Sequence, residues 1–599
     1  MKLSRLFAGF FSLITLTTAS AFAIQEFEAV VEDKKFNSSS TIVIEEAEIR
    51  KSRAKDVTTL LATQANISVT QSNFQPNSIF LRGGDSSHVL ILVDGVPFYD
   101  ASTIQRTVNL NTVNLKSIQK IEIIKGSQSV LFGGQALSGV IKITTIPKVL
   151  KSSGQVTGQV GTRNSGLLSF AGMYAFDENQ ALALRQSVSG RENKSPVLDS
   201  NQKYPTRFSN TEAIYIYKNE NLESFLKAQT SFDDTKIVTS DMVTFKPLDV
   251  ENFTFSTYQL ATSGSVKLIN GMKPQASVAY QRGARLLEIE GTPTKLDFNG
   301  ELLTARFESH PILSETLSLT AGLSLTQEKL YSENVGIKSA DVSADYQGVF
   351  VKADYKLTPN ILLEAGARND SEKWLRSIGT YQLGATFFKN YKAEYSTGFK
   401  RPSLAQLNAV FANPDLPPER SISTSLSYET NLTKDWFFSM TAFQNEFKNL
   451  IVARGFPTRY EALDSMTVGA EATTGLRFEP EQTVVNFSVG YQEPRDTSQA
   501  NWLLRRPLRT ASIRVRKEIN ALSLGAEVVH NGDRRDRTGS ITYDTVPNYT
   551  YLNATSEYKF TDSFSMYARG QNITNLIYQS SYSYYDEGQN YVLGAEYTF

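Results

Sequence analysis

The residues able to do chemistry are few and scattered. The 599-residue chain carries three histidines, His88, His310 and His530, and no cysteine. Their spacing forms no H-E-x-x-H pair, and the lack of cysteine removes thiol nucleophiles, disulfide frameworks and Cys-ligated zinc. Gly133-Gly134 invites a phosphate-loop reading, but no Gly-Lys-Ser/Thr follows it. His310 and His530 stand in no recognisable triad motif. The charges, 61 Lys+Arg against 61 Asp+Glu, leave neither a basic footprint for nucleic acid nor an acidic tail. These residues point away from an enzyme and away from a nucleic-acid binder.

The elements that would position such residues divide the chain. Lys2 and Arg5 precede the apolar stretch Leu6 to Leu16, and Ala21-Phe22-Ala23 follows, which reads as a cleaved export signal over residues 1–23 with Ile24 as the mature start. Export without cysteine calls for another source of stability, and a closed hydrogen-bonded barrel is one. From Ile24 to Pro147 the pattern is mixed. Ile42-Val43-Ile44, Ile79-Phe80-Leu81, Val89 to Val93, Ile118 to Ile124 and Val140 to Thr144 read as strands. Ile49, Val57, Leu60 and Leu61 suit short helices, and Asp94-Gly95 a turn.

After Pro147 a period of two takes over. Val349, Val351, Ala353, Tyr355 and Leu357 alternate with more polar neighbours, turn at Thr358-Pro359-Asn360, and return as Ile361, Leu363, Ala365 and Ala367. Two further hairpins, around Ile422 to Ala442 and Leu552 to Ala568, repeat the form. Short turns alternate with long polar stretches such as Arg191 to Asn210 and Asn531 to Asn548, as in a transmembrane β-barrel. A soluble sandwich would bury its apolar face and a propeller would show blade repeats, and no fixed period is present. No run of 18 apolar residues offers a membrane helix. Dividing residues 148–599 among roughly 22 strands leaves about 20 residues for each strand and its connection. The last alternate set, Tyr591, Leu593, Ala595, Tyr597 and Phe599, ends on an aromatic.

Two blocks carry a specific resemblance. Ile79-Phe80-Leu81-Arg82-Gly83-Gly84 followed by Val89 to Val93 and Asp94-Gly95-Val96 resembles the plug motif of TonB-dependent outer-membrane receptors. Ile121-Glu122-Ile123-Ile124-Lys125-Gly126, then Phe132-Gly133-Gly134 and Gly139-Val140-Ile141-Lys142-Ile143, is similar to that family's second plug block, with Lys125 where arginine is usual and Ser127 for proline. In the C-terminal part, Gly398-Phe399-Lys400-Arg401-Pro402, Asn413-Pro414-Asp415-Leu416-Pro417-Pro418-Glu419, Val468-Gly469-Ala470-Glu471 and Asn572-Ile573-Thr574-Asn575-Leu576 resemble barrel motifs of the family in the expected order.

The resemblance implies a mostly β fold: an about 22-stranded antiparallel transmembrane barrel over residues 148–599, with an α+β plug over 41–147 inside its lumen. It implies an importer of a scarce, bulky metal chelate across the Gram-negative outer membrane, acting as a monomer in lipid and needing no cofactor. A periplasmic TonB-type protein would pull on a segment within residues 24–40, where Glu28, Ala29, Val30, Val31 and Glu32 resemble the coupling box and could add as a strand to the partner. Arg82 and Lys125 of the plug are expected opposite Glu419 and Glu471 of the barrel as a breakable lock. Gly83, Gly95, Gly126, Gly133 and Gly139 would supply positive φ and close approach. Arg514 and Arg516 share a strand face with Ser512 and point to lumen or plug. The wording from Ser87 to Val96 is most similar to the cobalamin-receptor branch. That branch binds calcium through loop carboxylates, for which Asp233, Asp234 and Asp241 are a loose counterpart without EF-hand spacing. Ferric siderophores and haem are alternative cargoes, the latter weakened by the absence of paired histidines. A passive porin or adhesin would need neither plug nor coupling segment.

Overall fold

The computed structural model describes residues 41–599 except 71–77, 108, 241–246, 270–271, 290–294, 373–375, 410–411, 455–458, 480, 499–500, 539–541 and 587. The export signal and the coupling segment expected within residues 1–40 lie outside the described residues.

The N-terminal domain is a small layered unit. Its sheet runs in the order β1 (Thr41–Glu45), β6 (Lys120–Lys125), β7 (Gly139–Thr144), β4 (Val89–Val93), β5 (Val96–Pro97), with β4 and β7 parallel. The separate hairpin β2 (Ile67–Thr70) and β3 (Ser78–Leu81) leads into the glycine motif. Helix α1 (Glu46–Ser52) has Glu46 and Glu48 in its first turn and Arg50 and Lys51 in its last, each complementing the nearer end of the dipole. Helix α2 (Val57–Leu61) is capped by Asp56, whose carboxylate accepts from the Thr59 N–H at 2.8 Å. Ile49, Val57, Leu60 and Leu61 join Ile91, Val93, Ile121, Ile123, Ile141 and Ile143 in one core. The alternate residues Leu90, Leu92 and Val140 bury on the other face with Ala136. Burial on both faces explains why β4 is apolar throughout.

Among the described residues, 22 antiparallel strands close the C-terminal barrel. The closing seam joins the last strand, Asn590–Thr598, to the first, Ser153–Gly161, with Leu593 opposite Val160. The Gly154 and Phe599 backbones exchange hydrogen bonds at 2.8 and 2.9 Å. The expected hairpin pairs Val351 with Ala367 and Tyr355 with Leu363. Its alternation has the polarity of a barrel dissolved in lipid: Leu168, Leu226, Val349, Leu426 and Leu593 are exposed on the outside, while Thr157, Gln229, Ser231, Ser423 and Thr467 are buried on the inside. Exposed Tyr174, Phe176, Phe388, Tyr391, Trp436, Phe478, Phe560 and Phe599 gather at the short-turn end as an aromatic girdle.

Two expected loops are corrected. The stretch from Arg191 to Asn210 is mostly strand, with Gln180–Lys194 and Lys203–Lys218 continuing past the barrel wall and leaving 195–202 as the connection. Asn531 to Asn548 carries its own hairpin of Arg534–Arg537 and Tyr543–Val546. In both, polar composition hid regular pairing because even the buried face is polar, as at Asn193, Asn210, Arg534 and Asp536.

The outward polarity makes a direct prediction. Leu426, 61% exposed in the middle of the strand Glu419–Thr433, should destabilise the barrel by about 2–4 kcal/mol when changed to Arg in phospholipid vesicles. Urea titration measures this, and a loss no larger in lipid than in detergent would contradict a lipid-facing position.

Candidate functional site

The site with the richest chemistry is the interface between the N-terminal domain and the barrel lumen. β3 ends at Leu81, and Arg82 takes φ +44 so that its side chain leaves the sheet for the barrel wall. Its Nη2 donates to Glu471 Oε1, and its guanidinium lies 4.7 Å from the Phe443 ring centroid. From the end of β6, Lys125 Nζ reaches the other oxygen of Glu471 at 2.9 Å and the Ala65 carbonyl at 2.6 Å. Asn66 Nδ2 adds a third donor to Glu471 at 3.3 Å. One barrel carboxylate thus gathers two cations and an amide, all buried. Burial lowers the Lys125 pKa, and Glu471 offsets only part of that effect.

Glu419 has different partners from those expected. It accepts from Lys400 within the barrel, from His88 Nε2 at 3.1 Å and from the Ile451 N–H at 2.9 Å. The Asp85 N–H donates to His88 Nδ1 at 3.1 Å, which leaves Nε2 as the nitrogen that donates to Glu419. The His88 ring stacks on Phe447 at 5.3 Å. Arg506 Nη2 pairs with Asp85 at 3.1 Å and its Nε donates to the Gly83 carbonyl at 3.2 Å. Burial pushes the Asp85 carboxyl up, but Arg506 beside it and the Ser87 N–H from which it accepts prevail and hold it below the ordinary carboxylate range. Expectation and structure therefore agree in bringing Arg82, Lys125 and Glu471 together, and differ in giving Glu419 to Lys400 and His88.

All five singled-out glycines, Gly83, Gly95, Gly126, Gly133 and Gly139, have positive φ. Gly139 shows the need most plainly, since a Cβ there would collide with the Ile124 carbonyl and the Leu81 side chain. A Cβ at Gly83 would strike Thr467 of the wall.

The acidic trio does not assemble. Asp233 is buried in the lumen, accepting from Asn109 at 3.1 Å, while its neighbour Asp234 points the opposite way and accepts from Ser256 at 2.9 Å. Successive strand residues face opposite sides, so these two do not share an ion. Asp241 lies outside the described residues. Among the described residues no group of three or more His, Cys, Asp or Glu side chains is placed to hold a metal.

Several ties escaped the sequence reading. Arg106 pairs with Glu328 at 2.8 Å, where Tyr99 also donates at 2.6 Å. Lys227 bridges Asp94 at 3.1 Å and Glu212 at 2.8 Å. Arg53 meets Glu557 at 2.5 Å and Glu596 at 2.9 Å. Arg514, expected to point to lumen or plug, reaches Glu48 of the plug helix at 3.0 Å. Lys400 and Asp94 lie inside the family's motifs, but the others carry no local signature, since the two partners of each tie are far apart in the chain.

A plug tied by buried charges inside a 22-stranded barrel defines the class, and comparisons with known proteins name it. The family model "TonB dependent receptor-like, beta-barrel" matches residues 155–573, and "TonB-dependent Receptor Plug Domain" matches residues 33–140. The chain belongs to the TonB-dependent receptor family of outer-membrane transporters, which are not enzymes. The Vitamin B12 transporter BtuB of Vibrio vulnificus (strain YJ016) is 24% identical over 614 residues, covering 94% of this chain and 92% of its own. The same transporter from Vibrio cholerae serotype O1 (strain M66-2) is 24% identical over 595 residues, covering 94% and 93%. Among solved structures, the siderophore receptor PirA from Acinetobacter baumannii has the same fold, with a TM-score of 0.84 at 16% identity over 97% of this chain and 100% of its own. A mutant of the ferric enterobactin receptor PfeA from Pseudomonas aeruginosa follows with 0.82 at 17% identity over 95% and 99%.

Two outcomes test the interface. Glu471→Gln leaves Arg82 and Lys125 buried without a counter-charge, which should weaken plug docking by about 3–5 kcal/mol. Hydrogen exchange should then rise in β3 and β6 while barrel strands keep their protection, and unchanged exchange would contradict the assignment. For Asp85 the folded pKa is depressed, so its contribution is present above the unfolded value of about 3.9 and is lost as pH falls through the lower folded value. Protection of the Asp85–His88 amides should therefore stay flat on acidification until below the ordinary carboxylate range, whereas loss above it would contradict the pairing with Arg506.

Proposed function

We propose that this receptor imports a corrinoid across the outer membrane, energised by a periplasmic TonB-type protein acting on residues 24–40. The observation that carries the transport reading is the plug itself, a folded domain that fills the lumen and is held by ion pairs. A passive pore has no use for it. Ion pairs lose most of their strength when water reaches them, so a pulled plug can be released and can dock again. The cut after Ala23, the Glu28 to Glu32 box and a monomeric assembly in outer-membrane lipid complete the proposal. The long connections, 401–418, 497–508, 532–548 and 572–589, share one barrel end and would face the outside to meet the cargo.

The corrinoid reading is supported by full-length relatives that are vitamin B12 transporters. Ferric siderophores form the competing arm, since siderophore receptors share the fold. Purified protein titrated with cyanocobalamin and with a panel of ferric siderophores separates the two. Saturable binding of cyanocobalamin alone is expected, and binding of a siderophore with no response to cyanocobalamin would reassign the cargo. Removing residues 24–40 should leave that binding intact and abolish import by cells, and import that survives the deletion would contradict energy coupling through this segment.

A further inference from the structure

Two cavities between the plug and the barrel wall meet at one short loop. The first, of about 250 Å³, is lined at the end of the long connections by Pro196, Ser580 and Tyr584, and further in by Asn111, Asn114 and Ser187. The second, of about 430 Å³, runs beside α1 to Arg477 and Val484, which flank a short turn at the other barrel end. Both are lined by Ala54 and Lys55, from the loop between α1 and α2, and by Arg569 of the wall. The loop 53–56 therefore stands between a space that reaches the long connections and one that reaches the short turns.

The hold of this loop on the wall is centred on Arg53. That residue ends α1 with φ +49, a left-handed conformation for which glycine is the usual choice. An arginine there carries backbone strain, and its side chain is what the position gains. The guanidinium meets Glu557 and Glu596 of the wall and lies 4.3 Å from the Tyr567 ring centroid. Arg569 Nη1 donates to the Arg53 carbonyl at 3.1 Å, so the wall grips the backbone as well. The chain leading to the loop is held more lightly. Among the described residues β1 is an edge strand that pairs with β6 alone, and residues 41–52 give the plug core two buried side chains, Ile44 and Ile49.

We propose that the loop 53–56 is a gate across a passage along this side of the plug, closed by the ties of Arg53 and opened when they break. With the gate withdrawn, the two cavities become one wet space from the long connections to the short turns. A pull arriving through residues 24–40 reaches the gate by way of β1 and α1, before it loads the inner strands of the plug sheet. Withdrawal of α1, which lines the second cavity, widens the path for a bulkier cargo. The use of the gate in import rests on the transport reading above, whereas the gate itself does not.

The chain has no cysteine, so Arg53→Cys with Glu557→Cys creates one pair, which a short bis-thiosulfonate bridges and a reductant releases. Glu596 keeps Lys116 at 2.7 Å in that variant. Heat-dependent gel mobility establishes that its barrel is folded. Swelling of phospholipid vesicles in arabinose reads the passage. Wild-type vesicles should not swell, those with the unbridged variant should, and bridging should abolish the swelling until reductant restores it. Swelling with the wild type, none with the unbridged variant, or swelling that the bridge leaves unchanged would overturn the gate. Cells are then given whichever of labelled cyanocobalamin or a ferric siderophore binds the purified protein. The bridged variant should bind it without uptake, and uptake should return on reduction. Uptake through the bridged receptor would overturn the role of the gate in import. A wild type that takes up neither would count against the transport reading, while the swelling result decides the gate.

Discussion

A sheet edge left in hydrocarbon has no water to satisfy its N–H and C=O groups, and each unpaired group costs several kcal/mol there. Closure of the strand Asn590–Thr598 onto Ser153–Gly161 removes that cost, and much else in the molecule follows from it. Once the ring is closed, alternate residues must face lipid and lumen in turn. The apolar set therefore lies outside and the polar set inside, the reverse of a soluble core. A ring of 22 strands is also too wide for side chains alone to fill. The plug domain occupies the interior, with a hydrophobic core of its own.

The way the plug is held follows from the same inversion. A lumen lined mostly by polar residues offers only local apolar contacts, such as Leu137 against Phe447, Leu450, Leu463 and Leu503, and charged contacts make up much of the rest. Glu471 with Arg82 and Lys125, Glu419 with His88, Glu328 with Arg106, and Glu557 and Glu596 with Arg53 place carboxylates of the wall against cations or a donor of the plug. Lys227 with Asp94 and Arg506 with Asp85 reverse the polarity. Replacing such pairs by apolar contacts could make the complex more stable. For the proposed import, in which the plug is moved and then returns, contacts that weaken on wetting and re-form without covalent chemistry suit the task better.

Much of this was legible in the sequence, for physical reasons. Period two survives in strands because each spans two solvents, so Val349 to Leu357 and Tyr591 to Phe599 announced their outward faces. The plug core showed itself in β4, where both faces are buried and alternation disappears. Arg82, Lys125 and Glu471 were found through motifs whose wording is local. What stayed hidden depends on register between distant segments. Lys400 is the neighbour of Glu419 because Gly398-Phe399-Lys400 pairs antiparallel with the start of the next strand. The opposite directions of Asp233 and Asp234 follow from an extended strand where a loop was expected.

The central claim is that transport depends on energy supplied from the inner membrane, and cellular uptake of whichever labelled ligand binds the purified protein, before and after that membrane is uncoupled, tests it most directly. The account predicts that binding at the cell surface persists while uptake stops. Uptake that continues at an unchanged rate after uncoupling would contradict it.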